Sequence, residues 1–192
     1  MKKFELTDEF ITIFGRKLFR IKALADFSNV KAGELGGYVE KENNLSNEGD
    51  AWVSDNAQVS GNAQVYGNAQ VYGNARVTDN AQVYGDAQVY GNARVTDNAQ
   101  VYANAWVYGD ALAYGNAWVS GNADYATIKG FGTRFRNTTF FKCKNNTVKV
   151  SCGCFLGTID EFREQVKKTR TGKIAEEYLR IADLMEFHFN NN

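Results

Sequence analysis

Valine recurs at every sixth position through the middle of the chain, and an alanine stands two residues before each valine. The valines are Val53, Val59, Val65, Val71, Val77, Val83, Val89, Val95, Val101 and Val107. Alternate side chains of a strand point to opposite faces, so alanine and valine share one face and the residue between them takes the other. Each Ala-x-Val unit therefore predicts a short strand with an apolar interior side.

These hexads are grouped into a longer unit of 18 residues. Residues 62–79 and 80–97 are identical except that Asn68 corresponds to Asp86. Three hexads in each unit predict three sides of a triangular coil, with successive turns stacked on one another. The Gly-Asn or Asp-Asn pair between hexads supplies residues that tolerate positive φ at a sharp corner. The phase holds from Ala51 to Ala123, which predicts an all-β solenoid of about four turns.

Positions 18 residues apart lie above one another, and this spacing sorts the outward side chains into three faces. The first face holds Trp52, Gln70, Gln88 and Trp106 with Ser54, Tyr72, Tyr90 and Tyr108; the second holds Gln58, Arg76, Arg94 and Leu112 with Ser60, Thr78, Thr96 and Tyr114; the third holds Gln64, Gln82, Gln100 and Trp118 with Tyr66, Tyr84, Tyr102 and Ser120. Two faces therefore carry tyrosine ladders. On the other face, Arg76 and Arg94 are expected to form solvated ion pairs with Asp79 and Asp97.

The outward ladders supply the candidate binding residues of the shaft. They are Tyr66, Tyr72, Tyr84, Tyr90, Tyr102, Tyr108, Arg76, Arg94, Trp106 and Trp118. Three interpretations of the aromatic rows stand together at this point: stacking along the coil corners, the interface of a homotrimer, and a ligand platform.

The segments outside the coil predict caps and a small mixed domain. Residues 4–24 alternate around a turn at Phe14-Gly15, which predicts a strand pair covering the first coil. Residues 138–142 and 147–152 predict a hairpin. A capping box begins a helix at Thr158, and a second helix is predicted over 172–187. The chain thus divides into an N-terminal β cap and approach segment (1–48), a β-helix (49–126) and a C-terminal hairpin with two helices (127–192).

Composition and charge narrow the class of protein. The 192 residues include no proline and carry no net charge, and no stretch reads as a signal peptide or a membrane span, so a cytoplasmic location is expected. Residues 127–192 hold twelve basic against seven acidic side chains. Their basic patch of Arg134, Arg136, Lys142 and Lys144, near several phenylalanines, is a second candidate site for an anion. Nucleic acid is not expected as a partner.

No residue pattern indicates catalysis, a cofactor or a metal site. The single histidine, His188, lies near the end of the second predicted helix, where a structural role is expected. Cys143, Cys152 and Cys154 lack a fourth ligand at zinc-binding spacing, and Cys152 and Cys154, placed on one face of a strand, are interpreted as core thiols.

The hexads, such as Val65-Tyr66-Gly67-Asn68-Ala69-Gln70, resemble the hexapeptide repeat of the left-handed parallel β-helix superfamily, whose best known members are trimeric acyltransferases. The resemblance implies a left-handed coil and a homotrimer. Such enzymes use a histidine base beside the coil, whereas this coil contains no histidine and no inserted loop. The segments 31–40, 44–46, 49–53 and 152–158 are similar to those of uncharacterised phage and prophage hexapeptide-repeat proteins.

Three functional hypotheses follow. The first is a non-catalytic phage-type protein, acting in the host cytoplasm, whose trimeric scaffold binds a host protein or a small anionic metabolite and so interferes with host defence. The second is an acyltransferase that uses acyl-CoA. The third is a structural, self-assembling protein.

Overall fold

The computed structural model describes residues 2–190 and shows a β-solenoid capped at both ends. In chain order, an antiparallel hairpin precedes the solenoid, and a four-stranded antiparallel sheet with two helices follows it. Neither helix, within the described residues, has the length and apolar run that crossing a bilayer requires.

The N-terminal strands are β1 (Phe4–Ile13), β2 (Arg16–Ala23) and β3 (Leu35–Val39). The short strands of the coil are β4 (Trp52–Val53), β5 (Gln58–Val59), β6 (Gln64–Val65), β7 (Gln70–Val71), β8 (Arg76–Val77), β9 (Gln82–Val83), β10 (Gln88–Val89), β11 (Arg94–Val95), β12 (Gln100–Val101), β13 (Trp106–Val107), β14 (Leu112–Ala113) and β15 (Trp118–Val119). The C-terminal elements are β16 (Tyr125–Phe131), β17 (Arg136–Lys142), β18 (Val148–Cys152), β19 (Phe155–Thr158), α1 (Ile159–Thr169) and α2 (Gly172–Asn190). Two short 3₁₀ helices span Glu42–Asn44 and Asn122–Asp124.

The coil strands form three parallel sheets, one on each side of the solenoid. Their orders are β3-β5-β8-β11-β14, β4-β7-β10-β13 and β6-β9-β12-β15, with the hairpin strands β1 and β2 extending the first sheet. From β4 to β12, each strand pairs with the strand 18 residues further along, as in Arg76 with Arg94, whereas β3 pairs with β5 in the register of Val39 with Val59. The three faces predicted from the sequence are therefore confirmed.

Alanine and valine fill the interior, as the alternation predicts. Val59, Val77 and Val95 are 0% exposed, and so are Ala57 and the other alanines of the Ala-x-Val units up to Ala105. Burying one valine side chain contributes about 1.5 to 3 kcal/mol, so stacked turns stabilise one another through this column.

The solenoid has about five turns, one more than the hexads predict. Val39 pairs in parallel with Val59, and Leu45 forms a parallel bridge with Val65. The buried Asn44 completes this turn by donating through Nδ2 to the carbonyl oxygens of Gly61 and Ala63.

Both ends of the coil are closed by large side chains. At the N-terminal end the fully buried Phe4 and Ile21 join the core, and Phe27 lies edge-on over Trp52 at 5.3 Å between ring centroids. Trp52 is consequently 2% exposed, although the pattern places it on an outward face. At the C-terminal end, Phe141 of β17 packs into the same core.

The C-terminal domain has its own core between sheet and helices. The predicted hairpin is the centre of a larger sheet, β16-β17-β18-β19, because the segments on either side also pair with it. Both predicted helices are present. Thr158 caps α1, and its Oγ1 accepts a hydrogen bond from the backbone N–H of Glu161. Phe140 of β17, Phe162 of α1 and Tyr178 of α2 pack together between the sheet and the helices.

Candidate functional site

The two tyrosine ladders follow two corners of the coil, and their rings stack. Ring centroids are 4.8 Å apart at Tyr66–Tyr84 and 5.2 Å apart at Tyr84–Tyr102, with the same spacings in the ladder of Tyr72, Tyr90 and Tyr108. The hydroxyls of Tyr66, Tyr72 and Tyr84 each donate to Oε1 of a glutamine in the next turn, as Tyr66 does to Gln82 at 3.2 Å. Ring faces and hydroxyls are thus used largely within the chain, which favours corner stacking.

The exposed aromatic surface lies at the C-terminal ends of the ladders. Trp106 is 44% exposed and Tyr108 is 49% exposed. Trp118, in contrast, is half-buried; its indole N–H donates to the hydroxyl of Tyr102, and Lys144 Nζ lies 5.0 Å from its ring centroid. Of the aromatic candidates, Trp106 and Tyr108 therefore offer the most surface to another molecule.

The hairpin of β1 and β2 overhangs one face of the coil and encloses a groove of about 310 Å³. We call this cavity the hairpin groove. Its lining residues are Ile13, Phe14, Arg16, Leu18, Gln58, Ser60, Arg76, Thr78, Asp79, Arg94 and Thr96. One wall is thus largely apolar and comes from the hairpin. The other, from β5, β8, β11 and the residues that follow them, carries arginine and hydroxyl side chains, the amide of Gln58 and the carboxylate of Asp79.

The arginines of the hairpin groove are not neutralised as the sequence pattern suggests. Among the described residues, neither Arg76 nor Arg94 has a carboxylate within ion-pair distance, so the predicted pairs with Asp79 and Asp97 are wrong. The carboxylate of Asp79 instead accepts hydrogen bonds from Thr78 and Thr96, and these bonds hold its pKa below the usual range.

Asp97 is engaged elsewhere, since its Oδ2 accepts from the backbone N–H of Gly115 at 3.0 Å. Two adjacent guanidinium groups therefore stand on neighbouring rungs of the coil without a countercharge from Asp79 or Asp97. Arg16, in the same groove, contacts Glu40 at 3.1 Å.

The predicted basic patch of the C-terminal domain divides into separate parts. Lys142 pairs with Asp124 at 3.3 Å, and Lys144 lies over Trp118. Arg134 and Arg136 meet Arg170 in a different cavity of about 400 Å³, which we call the arginine pocket. Its lining residues are Thr133, Arg134, Arg136, Cys152, Arg170 and Tyr178.

The phenylalanines expected beside that patch also divide. Phe140 and Phe141 are 0% exposed and belong to the two cores, so they are unavailable to a ligand. Phe131, the last residue of β16, and Phe135, in the loop that follows β16, remain exposed on the segment that leads into the arginine pocket.

The cysteines and the histidine contribute no assembled chemical site. Cys143 is buried and burial raises the pKa of its thiol, but Cys152 is half-buried and Cys154 is exposed. A turn at Gly153 separates the last two, so their interpretation as core thiols on one strand face is wrong. In residues 2–190, no group of three or more His, Cys, Asp or Glu side chains is arranged to hold a metal ion. His188 lies on α2 with its ring centroid 4.9 Å from that of Phe189.

The stacked hexads, the uniform Ala and Val core and the parallel sheets define a β-helix repeat protein. The family model described as YdcK Beta solenoid repeat matches the chain at residues 57–71, 69–85 and 87–103, all within the coil. No curated protein matches the chain. The chain is thus similar to that repeat family over residues 57–103 of its solenoid, while both cavities depend in part on segments outside the matched residues.

Two arginines that complete these cavities were not among the sequence candidates. Arg16 reaches the hairpin groove from a hairpin distant in sequence, and Arg170 reaches the arginine pocket from the end of α1. The periodicity of the sequence does not indicate either position. Each arginine comes to its cavity because an element outside the coil packs against a part of the chain that is distant from it or follows a different pattern.

Proposed function

We propose that this protein is a non-catalytic binding protein whose solenoid is a rigid scaffold and whose hairpin groove holds a small anionic ligand. The observation that carries the proposal is the pair of arginines, Arg76 and Arg94, on adjacent rungs of an enclosed groove without a carboxylate partner among the described residues. Guanidinium groups bind carboxylate and phosphate oxygens through paired hydrogen bonds.

The opposite wall of the groove adds a second requirement for the ligand. Ile13 and Phe14 present apolar surface there, whereas Leu18 is 2% exposed, and Phe14 at the hairpin tip is 95% exposed. Burying a phenylalanine side chain contributes about 1.5 to 3 kcal/mol, and the exposed Phe14 lacks this contribution in the chain alone. A ligand with an anionic end and an apolar body matches both walls.

An amphipathic anion of known structure tests this proposal directly. Anilinonaphthalene sulfonate has a sulfonate for the arginines and aromatic rings for the hairpin, and its fluorescence reports binding. We expect saturable binding that weakens about tenfold or more in the Arg76→Gln, Arg94→Gln double variant, since hydrogen bonds to charged groups contribute about 1.5 to 3 kcal/mol. Gln58 occupies the same column, so glutamine is compatible with this position in the coil.

The control for charge is Arg180→Gln, which removes one positive charge, against the two removed in the double variant, from an exposed site on α2. Its affinity for the probe should equal that of the unmodified protein. Unchanged binding in the double arginine variant, with an unchanged circular dichroism spectrum, would exclude the hairpin groove as the binding site.

We further propose that the coil is left-handed and that three chains assemble through the aromatic end of the ladders. The resemblance of the hexads to the hexapeptide-repeat superfamily supports both points, and the exposed Trp106 and Tyr108 supply an apolar surface of the kind enriched in interfaces. Native mass spectrometry should give three times the chain mass of 21.4 kDa. Trp106→Gln should shift this mass toward that of the monomer, because it removes apolar surface from the proposed interface. The coil itself should stay intact, since Gln70 and Gln88 occupy the same column. A monomer in the unmodified protein would refute the assembly.

The phage-type likeness of the approach and tail segments supports a role in binding a host component and interfering with host defence. An acyltransferase is the alternative proposal, supported by the hexad resemblance. Acetyl-CoA distinguishes the two, because an acyltransferase consumes its thioester in the presence of acceptor amines or alcohols, whereas a binding protein leaves it intact.

A further inference from the structure

The arginine pocket concentrates positive charge, whereas several other cations of its domain are paired with carboxylates. Arg163 contacts three carboxylates, Arg180 pairs with Glu176 at 2.6 Å, and Lys142 pairs with Asp124. Among residues 2–190, Arg134, Arg136 and Arg170 have no carboxylate within ion-pair distance. Three like charges lining one cavity repel one another, and a bound anion would remove that repulsion.

The remaining lining groups are suited to an anion as well. Thr133 contributes a hydroxyl, and the hydroxyl of Tyr178 lies at the pocket with its proton directed toward the carbonyl oxygen of Phe131 at 3.4 Å. Burial raises the pKa of Tyr178 and so favours its neutral phenol, which adds no negative charge to the pocket. The Sγ of Cys152 already accepts a hydrogen bond from Thr138 at 3.2 Å. No carboxylate lines the cavity, so its ionised groups are all cationic.

The elements that form the pocket differ from those of the hairpin groove. Arg134 and Arg136 come from the loop between β16 and β17 and from the start of β17, whereas Arg170 follows the last residue of α1. The sheet and the helices share one packed core around Phe162 and Tyr178. The three guanidinium groups are therefore carried on elements that this core holds together.

We propose that the arginine pocket is a second binding site, specific for the phosphate group of a small phosphorylated molecule. A tetrahedral oxyanion presents several acceptor oxygens, which guanidinium groups contact in pairs. The cavity of about 400 Å³ exceeds the space that one phosphate fills, so it accommodates a diphosphate or a phosphate ester with a compact organic part. This site is independent of the ligand proposed for the hairpin groove.

Inorganic pyrophosphate is the probe, measured by isothermal titration calorimetry in a phosphate-free buffer. We expect one site per chain, with binding that weakens as salt is added, and weaker or absent binding of acetate at equal concentration. Arg134→Gln and Arg170→Gln should each reduce the affinity by about tenfold to a hundredfold, the range expected for loss of a charge-assisted contact.

Two controls separate this site from general electrostatic attraction and from the groove. Arg180→Gln removes an equal charge from the same domain and should leave pyrophosphate affinity unchanged. The Arg76→Gln, Arg94→Gln double variant should also bind pyrophosphate normally. Failure of that variant to bind anilinonaphthalene sulfonate, with pyrophosphate binding retained, would show that the two proposals stand separately.

Cys152 provides a second measurement that needs no substitution. Its thiol lines the pocket, whereas Cys143 is buried. Bound pyrophosphate should slow alkylation of Cys152 by iodoacetamide, read by mass spectrometry of the peptide. The proposal is overturned if pyrophosphate does not bind, if acetate binds equally well, or if Arg180→Gln weakens binding as much as Arg170→Gln does.

Discussion

The lysine that closes the N-terminal end of the coil makes the stability of the protein depend on pH. Lys3 is 6% exposed, and its Nζ donates to the carbonyl oxygens of Ala51 at 2.8 Å and Gly49 at 3.1 Å. Burial lowers the pKa of Lys3 from 10.5 to about 8, an effect that Asp50 partly opposes. The folded protein therefore holds this proton less tightly than the unfolded chain does.

The sign of the effect follows from proton binding in the two states. Between the folded and unfolded pKa values the unfolded chain binds more protons, so the free energy of unfolding rises as pH rises through this window. One pKa unit corresponds to about 1.36 kcal/mol, and integrating from about pH 8 to about pH 9.5 gives a gain of about 1.5 kcal/mol. Above that range, raised tyrosine pKa values act in the opposite direction, because burial in the folded state favours the neutral phenol of residues such as Tyr66.

Urea unfolding at the two pH values, followed by circular dichroism, measures the gain. The Lys3→Met variant keeps the length and apolar stem of the side chain but has no group to titrate, so its unfolding free energy should lack this rise. The difference between the two slopes isolates Lys3 from every other titrating group. Equal slopes in the two proteins would refute the reasoning, since the pH dependence would then arise elsewhere.

Three further predictions, using five substitutions, test the corners and the helix contact by urea unfolding. Gly85→Ala should destabilise the folded protein by about 1 to 2 kcal/mol, because φ at this position is +70° and a Cβ would lie 2.9 Å from the backbone nitrogen of Ala103. The reverse change, Ala103→Gly, should shift the free energy of unfolding by less than about 1 kcal/mol. Glycine relieves the positive φ of +52° at this position but also adds conformational freedom to the unfolded chain. Asp55→Ala should cost about 1 to 2 kcal/mol, because the Asp55 carboxylate accepts from the N–H of Gly73 at 3.0 Å and alanine is strained at a φ of +56°, whereas Asp55→Asn should largely retain stability. Arg163→Met should cost about 1 kcal/mol, and raising the salt concentration should shrink the difference, because partly exposed ion pairs link α1 to α2. The explanation from positive φ would be contradicted if the two glycine–alanine exchanges had equal effects. The explanation for Asp55 would be contradicted if its two variants had equal effects. A loss of stability at Arg163 that did not depend on salt would contradict the role of the ion pairs.

The sequence predicts the coil because every hexad repeats the same local rule. The alternation of Ala and Val specifies the buried face, and the stacking of identical rungs then follows from burial and backbone pairing. The first turn escapes this rule. Gly37 stands where the hexads have alanine, and a Cβ there would lie 2.7 Å from the carbonyl oxygen of Ala57, so close packing at this end of the coil replaces the repeat.

The candidate sites were only partly predictable, and the reason is tertiary packing. Arg76 and Arg94 were found through the repeat, and Arg134 and Arg136 through local charge. Whether each arginine has a carboxylate partner depends on neighbours distant in sequence: threonine hydroxyls and a backbone N–H engage the aspartates expected to pair with the coil arginines. Arg170 was not predicted as a binding residue, because its position just after α1 gives no information about which loop α1 packs near. In the structure this is the loop between β16 and β17.

Because the units 62–79 and 80–97 are nearly identical, the coil can be shortened or lengthened by whole turns. Removing residues 80–97 would join Asp79 to Asn98, the same pair of residues that now stands at both unit boundaries. One turn contributes about 4.8 Å along the axis, and a whole turn returns the chain to the same side. The N-terminal hairpin and the C-terminal domain would therefore approach by one rung and keep their relative rotation. Duplication or loss of this unit in a gene would therefore increase or decrease the distance between the two ends by the height of one turn, about 4.8 Å.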